Sequence, residues 1–259
     1  MHHRILLIST ISTFSKSVLV LVCALLSPSI LASASSHWGY SGDKGPLHWA
    51  ELSSDNAACS GKNQSPINLT GFIEAELPAI DFSYAKQGKD SNEILNNGHT
   101  IQINTQQDSH IKVDDQKFTL LQVHFHSPSE NHLNGKSYPF EAHLVHANEQ
   151  GELAVIGVFF ELGEANSALT KAWAAMPKHE DQKFHFANLI NSSELLSENK
   201  DYYRFSGSLT TPPCSEGVRW LVMKQSLTLS DWQLKAFNQV LGEANNRPIQ
   251  PINARRILQ

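Results

Sequence analysis

Between residues 101 and 223 the apolar positions fall at every second residue or in short continuous runs, and both patterns belong to β-strands. The segments are 101–103, 110–113, 118–125, 140–146, 153–160 and 218–223. Asn97-Gly98, Asp114-Asp115, Asn134-Gly135 and Glu149-Gln150-Gly151 punctuate them as turns, which predicts antiparallel neighbours. Helical periodicity is sparse. It covers 166–175 and, more clearly, 230–241, where Ser230 and Gln233 form a capping box and Gly242 supplies the stop. Within that helix Leu234, Phe237 and Leu241 share a face. Strands outnumber short helices without βαβ alternation, so the expected class is mainly β (α+β): a large, mostly antiparallel twisted central sheet with short peripheral helices. No repeat and no Gly/Ser- or Pro-rich linker divides residues 35–259, which predicts a single domain.

The pattern differs at the amino end. Residues 1–34 hold no Asp or Glu, carry His2, His3, Arg4 and Lys16 before an apolar run at 18–26, then turn small and polar. This is the layout of a secretory signal peptide, with Ala32-Ser33-Ala34 offering cleavage before Ser35 and neighbouring sites almost as acceptable. The apolar run has 9 residues, and its extension to Leu31 is broken by Ser27-Pro28-Ser29. About 20 are needed to span a bilayer, so no stable membrane anchor is expected. Val22 is also a poor neighbour for lipidation at Cys23.

Removing that segment takes away Arg4 and Lys16 and no acid, moving the net charge from −5 to −7. With 41% hydrophobic and 17% charged residues the chain can bury a core and is not disordered. No Lys/Arg cluster appears, which argues against nucleic acid and for a small substrate. Two cysteines remain, Cys59 and Cys214, and in a periplasmic or secreted protein they can pair in one way. Closing so long a loop contributes about 4 to 5 kcal/mol in the chain-entropy account.

Thirteen histidines is a high count, and several cluster mid-chain. In Leu121-Gln122-Val123-His124-Phe125-His126 the strand period puts Gln122, His124 and His126 on one face. In the segment 140–146 Glu141, His143 and Val145 share a face, with His146 opposite, as a core histidine. If these segments pair across the connector 127–139, three imidazoles surround one ion. Zinc (Zn2+) suits neutral nitrogen donors and three protein ligands that leave a fourth position open. Gln122 and Glu141 each lie two residues from a ligand on its own face, placed to fix imidazole tautomers. His124-x-His126-x3-Glu130 also fits the front half of a cupin motif with Glu as ligand. Phe118, Ser137 and Ala147 fail that motif elsewhere, but the residues alone leave open whether Glu130 binds metal. His110, His132, His179 and His185 receive no role.

The chain also resembles the alpha-class carbonic anhydrases of the exported bacterial kind. The resemblance rests on His37-Trp38-Gly39-Tyr40, Asn63-Gln64-Ser65-Pro66-Ile67, Leu95-Asn96-Asn97-Gly98-His99, His124-Phe125-His126, Ser129-Glu130, Glu141-Ala142-His143-Leu144-Val145-His146, the run from Ser208 to Cys214, and Asn246-Arg247-Pro248-Ile249-Gln250-Pro251. It implies reversible hydration of carbon dioxide to bicarbonate and a proton, by attack of zinc-held hydroxide. It implies His124, His126 and His143 as zinc ligands, with Gln122, Glu141 and the main chain of Asn245 behind them. His99 is implied as proton shuttle, and Glu130 with Thr210 as the pair that orients the nucleophile. Thr211 becomes a substrate-side contact, and Val145, Val155, Leu209, Val218 and Trp220 an apolar wall for carbon dioxide. Cys59 and Cys214 match the family's bacterial disulfide, and a homodimer is compatible with the resemblance. The departures, Asn131-His132 after Glu130 and Asn246 before Arg247, are expected to lie off the inferred ligands.

Overall fold

The computed structural model describes residues 37–84, 91–105, 109–187 and 190–259. The segment 1–34 read as a signal peptide lies outside them, and residues 36–259 form one compact unit. Its strands are β1 (Asn68–Leu69), β2 (Asp81–Ser83), β3 (Ser91–Asn96), β4 (Ile101–Asn104), β5 (His110–Val113), β6 (Gln116–His126), β7 (His132–Leu133), β8 (Phe140–Ala147), β9 (Leu153–Leu162), β10 (Lys183–Ala187), β11 (Tyr202–Ser208), β12 (Glu216–Met223) and β13 (Leu227–Leu229). The helices are α1 (Trp49–Leu52), α2 (Ser167–Ala174) and α3 (Asp231–Leu241).

The central sheet runs β10-β3-β4-β6-β8-β9-β12-β11, with β13 beside β9, β5 beside β6 and β2 beside β5. Every pair is antiparallel except β9 with β12 and β9 with β13. The predicted turns sit where expected: Gly98 (φ 80), Asp114 and Asp115 (φ 50 and 60) and Gly151 (φ 80) adopt the left-handed backbone that closes the β3–β4, β5–β6 and β8–β9 hairpins.

Strict alternation breaks in β6. The register slips between Leu120 and Gln122, leaving Leu121 bulged outward and exposed. Phe118 and Leu120 therefore join Val123 and Phe125 in the same core despite their opposite parity. Without the bulge, one half of β6 would point its apolar residues away from the core.

One face of the sheet packs beneath α2 and α3, with Phe125 against Trp173 (5.2 Å between ring centroids) and Phe140 against Phe237 (5.1 Å). Asn166 caps α2 through Leu169 N, and the Ser230/Gln233 capping box starts α3, which Gly242 ends in the left-handed conformation. The opposite face carries the histidines and a second apolar cluster.

Candidate active site

Strand pairing alone assembles the histidines. His124 lies directly across from His143 in the β6–β8 register, and His126 across from Glu141. One nitrogen from each of His124, His126 and His143 falls within a group spanning 4.8 Å. The remaining ring nitrogens are engaged: His124 Nδ1 lies 2.8 Å from Gln122 Oε1 and His126 Nδ1 lies 2.7 Å from the Asn245 carbonyl. His143 Nε2 stands 2.9 Å from Glu141 Oε1, without the alignment of a straight hydrogen bond. Since amide and carbonyl oxygens only accept, the Nδ1 atoms of His124 and His126 carry the protons and their Nε2 lone pairs face the centre.

Burial holds the three rings neutral: His124 and His143 are shifted well below the ordinary histidine value by desolvation and then by neighbouring rings, and His126 is lowered to about 4 by desolvation. Neutral imidazole is the form that binds a metal. His126 Nε2 is buried without a hydrogen-bond partner, an orphaned acceptor that a cation would satisfy. The donor set therefore fits a zinc ion, with the neutral nitrogens supplied by His124 Nε2, His126 Nε2 and His143 Nδ1.

The residues behind these rings are themselves anchored. Asn245 accepts from His126 Nδ1 through its main chain, accepts the Ser127 N–H at Oδ1, and donates Nδ2 to the carbonyls of His99 and Phe125. Glu141 accepts from Glu130 N, Asn131 N and Asn131 Nδ2 at 2.8 to 2.9 Å. Asn131 lies off the three histidines, as expected, but bonds the Glu141 carboxylate that stands behind His143. Desolvation raises the Glu141 carboxyl to about 7, against the pull of those donors.

Glu130 is fully buried. Its Oε1 accepts the Arg247 backbone N–H at 2.9 Å; burial raises the carboxyl well above the usual carboxylate range, against the pull of that N–H and of the nearby Thr210 side chain. Its Oε2 has no hydrogen-bond partner and stands 3.4 Å from His126 Nε2 and 3.8 Å from His143 Nδ1. Val145, Val155, Val218 and Trp220 are buried in one cluster with Leu209 packed on it, and Trp220 lies edge-on to His143 at 4.8 Å. Thr211 accepts the Cys214 N–H at its carbonyl, and Cys214 is bonded to Cys59.

A match to the family model of eukaryotic-type carbonic anhydrases extends over residues 44–259. The chain belongs to the alpha-class carbonic anhydrases. It is 44% identical to a carbonic anhydrase of Pectobacterium atrosepticum over 93% of this chain and 98% of that one. It is 41% identical to one of Neisseria gonorrhoeae over 94% and 95%. The alpha-carbonic anhydrase of Thermovibrio ammonificans, solved with the inhibitor sulfanilamide, superposes with a TM-score of 0.83 at 48% identity, over 86% of this chain and 99% of that one. A carbonic anhydrase hydrates carbon dioxide, so the substrate is a small molecule. Among the described residues no helix is long and apolar enough to cross a membrane.

Two residues of this carbonic anhydrase that the motifs contained, but to which sequence reasoning gave no role, frame its site. Trp38 stacks on the His99 ring at 3.7 Å and 11°. Arg247 donates its guanidinium to Gln64 Oε1 and to the carbonyls of Ser65 and Cys59, tying the disulfide region to the Glu130 carboxyl it caps. Buried arginine in the motif Asn246-Arg247-Pro248 was the available signal, because such a group requires several acceptors.

Proposed function

We propose that His124, His126 and His143 hold a catalytic zinc ion at which carbon dioxide is hydrated, that Glu130 and Thr210 orient the nucleophile, and that His99 exports the proton. The observation that carries this reading is the trio of convergent imidazole nitrogens, two of whose rings are locked from behind by Gln122 and Asn245. Zinc bound there supplies Lewis acidity that brings the ionisation of water toward neutral pH, as is established for carbonic anhydrases generally.

The protein's own groups do the rest. In this reading Thr210 donates its hydroxyl hydrogen bond to Glu130, so toward the reacting centre its oxygen accepts. It therefore takes the O–H of the nucleophile and turns the attacking lone pair toward carbon. Carbon dioxide has neither charge nor dipole. The desolvated wall of Val145, Val155, Leu209, Val218 and Trp220 holds it without gripping the anionic product, and Thr211 offers a polar edge on the substrate side. His99, half-buried, is pulled below the ordinary histidine value by desolvation, while Glu180 and Glu243 push it back. An imidazole is the side chain suited to accept and release protons here.

We further infer that residues 1–34 are an export signal and 35–259 the catalytic domain, acting in the periplasm or outside the cell. The Cys59–Cys214 bond and the bacterial relatives support this compartment.

Zinc content and carbon dioxide hydration, measured on the protein and on His126→Ala, test the assignment. One zinc per chain with activity is expected in the first, and loss of both in the second. Retention of both in His126→Ala would remove the basis for the reading. Glu130→Gln is expected to keep zinc and lose rate; loss of the metal instead would make Glu130 a ligand.

A further inference from the structure

A surplus of positive charge lies on the face of the sheet opposite the histidines. The period of two along β12 turns Val218 and Trp220 toward the histidine side and Arg219 away from it. In β11, Arg204 lies across from Leu221 and Ser206 across from Arg219, so both share the face of Arg219. Arg204, Ser206, Gly217, Arg219 and Arg256 line a cavity of about 300 Å3 there.

The charges around it do not balance. Asp114 binds both Arg204 Nη1 and Nη2 and stands 3.9 Å from Arg219 Nε. Arg219 otherwise donates Nη1 to Gln116 Oε1 at 3.0 Å and lies over the Phe118 ring. Arg256 is exposed and makes no hydrogen bond or ion pair among the described residues. The nearby acid at the head of β12, Glu216, is offset by Arg255 and accepts from Asn63 and Gln64. Three guanidiniums thus meet one carboxylate, on a chain whose net charge is −5. Such a local surplus attracts a counter-anion.

The backbone keeps the cavity open. The β11–β12 register slips between Gly207 and Ser208, leaving Gly217 as the extra residue. Its φ of 93° is a conformation that side chains rarely adopt, and a Cβ there would meet nothing within 4 Å.

We propose that this cavity binds a small divalent oxyanion of the phosphate type, gripped by Arg256 and Arg219, with Arg204 and the Ser206 hydroxyl as further donors. The planar guanidinium presents paired N–H groups that match two oxygens of such an anion. Two surplus positive charges favour a dianion, since a monoanion such as bicarbonate leaves one charge unmatched. Free phosphate and the phosphate monoester of a small metabolite share this chemistry.

Calorimetric titration of the zinc-loaded enzyme at fixed ionic strength tests the proposal, with inorganic phosphate in one arm and glycerol phosphate in the other. Saturable one-to-one binding is expected in at least one arm. It should weaken at least tenfold in Arg256→Ala and in Arg219→Ala, persist in His126→Ala, and leave carbon dioxide hydration by Arg256→Ala unchanged. Binding in both arms assigns a phosphate monoester, and binding of inorganic phosphate alone assigns the free anion. Absence of saturable binding in both arms, equal binding by the wild type and Arg256→Ala, or loss in His126→Ala would overturn it.

Discussion

Gly157 of β9 lies directly across from His143 of β8, and a Cβ built on it would stand 3.2 Å from Glu141 Oε1 and 3.3 Å from a Val222 methyl. The missing side chain leaves room for the carboxylate that backs His143. Gly157→Val should push Glu141 out of register with the ring, and losing such a supporting contact typically costs metal sites 10- to 100-fold in affinity or activity. Chelator competition is expected to show zinc held at least about tenfold more weakly. Unaltered zinc affinity in a folded Gly157→Val protein would show that the close packing here has no bearing on the metal.

The Cys59–Cys214 bond joins residues 155 apart and ends three residues beyond Thr211. Cys214 itself sits at φ 57, a left-handed conformation that a non-glycine residue keeps only when its surroundings hold it. A loop of this length is worth about 5 kcal/mol in the chain-entropy account. At about 2 to 4 °C per kcal/mol for a domain of this size, Cys59→Ser with Cys214→Ser should lower Tm by about 10 °C or more. Activity measured well below that Tm should also fall, because the segment carrying Thr210 and Thr211 loses its tether. A double variant with wild-type Tm would show that the packing of Trp49 and Arg247 holds this region without the bond.

His99→Ala should lower the maximal rate in dilute buffer, and added imidazole should restore it. Burial lowers the pKa of His99, so its neutral, proton-accepting form persists below the ordinary value of 6.5. The rate difference between wild type and His99→Ala, plotted against pH, should therefore inflect below 6.5. Equal rates in dilute buffer would remove His99 from the proton path.

The strands bearing the histidines were legible because a period of two marks a face, and pairing β6 with β8 needs only a short connector. Helix α3 was legible through local chemistry, its capping box and Gly242. The strand β10, Lys183–Ala187, also alternates but is short and at a sheet edge, with Lys183, Phe184 and His185 exposed, so its pattern is weak. The β6 bulge left a trace, the switch of apolar parity between Leu120 and Val123, which a strict two-residue period hides. The parallel pairing of β9 with β12 and the cap of Arg247 on Glu130 join distant segments. Their partners are chosen by tertiary packing and leave no periodic signal.

His146, on the far face of β8, is fully buried, with Nδ1 3.3 Å from the Ala154 carbonyl and Nε2 2.9 Å from the Tyr84 hydroxyl. A carbonyl only accepts, so Nδ1 carries the proton and Nε2 accepts from Tyr84. A second proton would have to displace that hydrogen bond inside the core, and burial lowers the pKa to about 3. The folded value thus lies below the unfolded one near 6.5, so the associated stability is present in full above pH 6.5. It is lost as the pH falls toward 3 and the unfolded chain takes up the proton first. Between pH 7 and 5 this linkage amounts to about 2 kcal/mol. Urea unfolding at the two pH values should show a fall in stability smaller by about that amount in His146→Gln than in the wild type, whatever the variant's level at pH 7. An identical fall in both proteins would place the acid sensitivity in other groups.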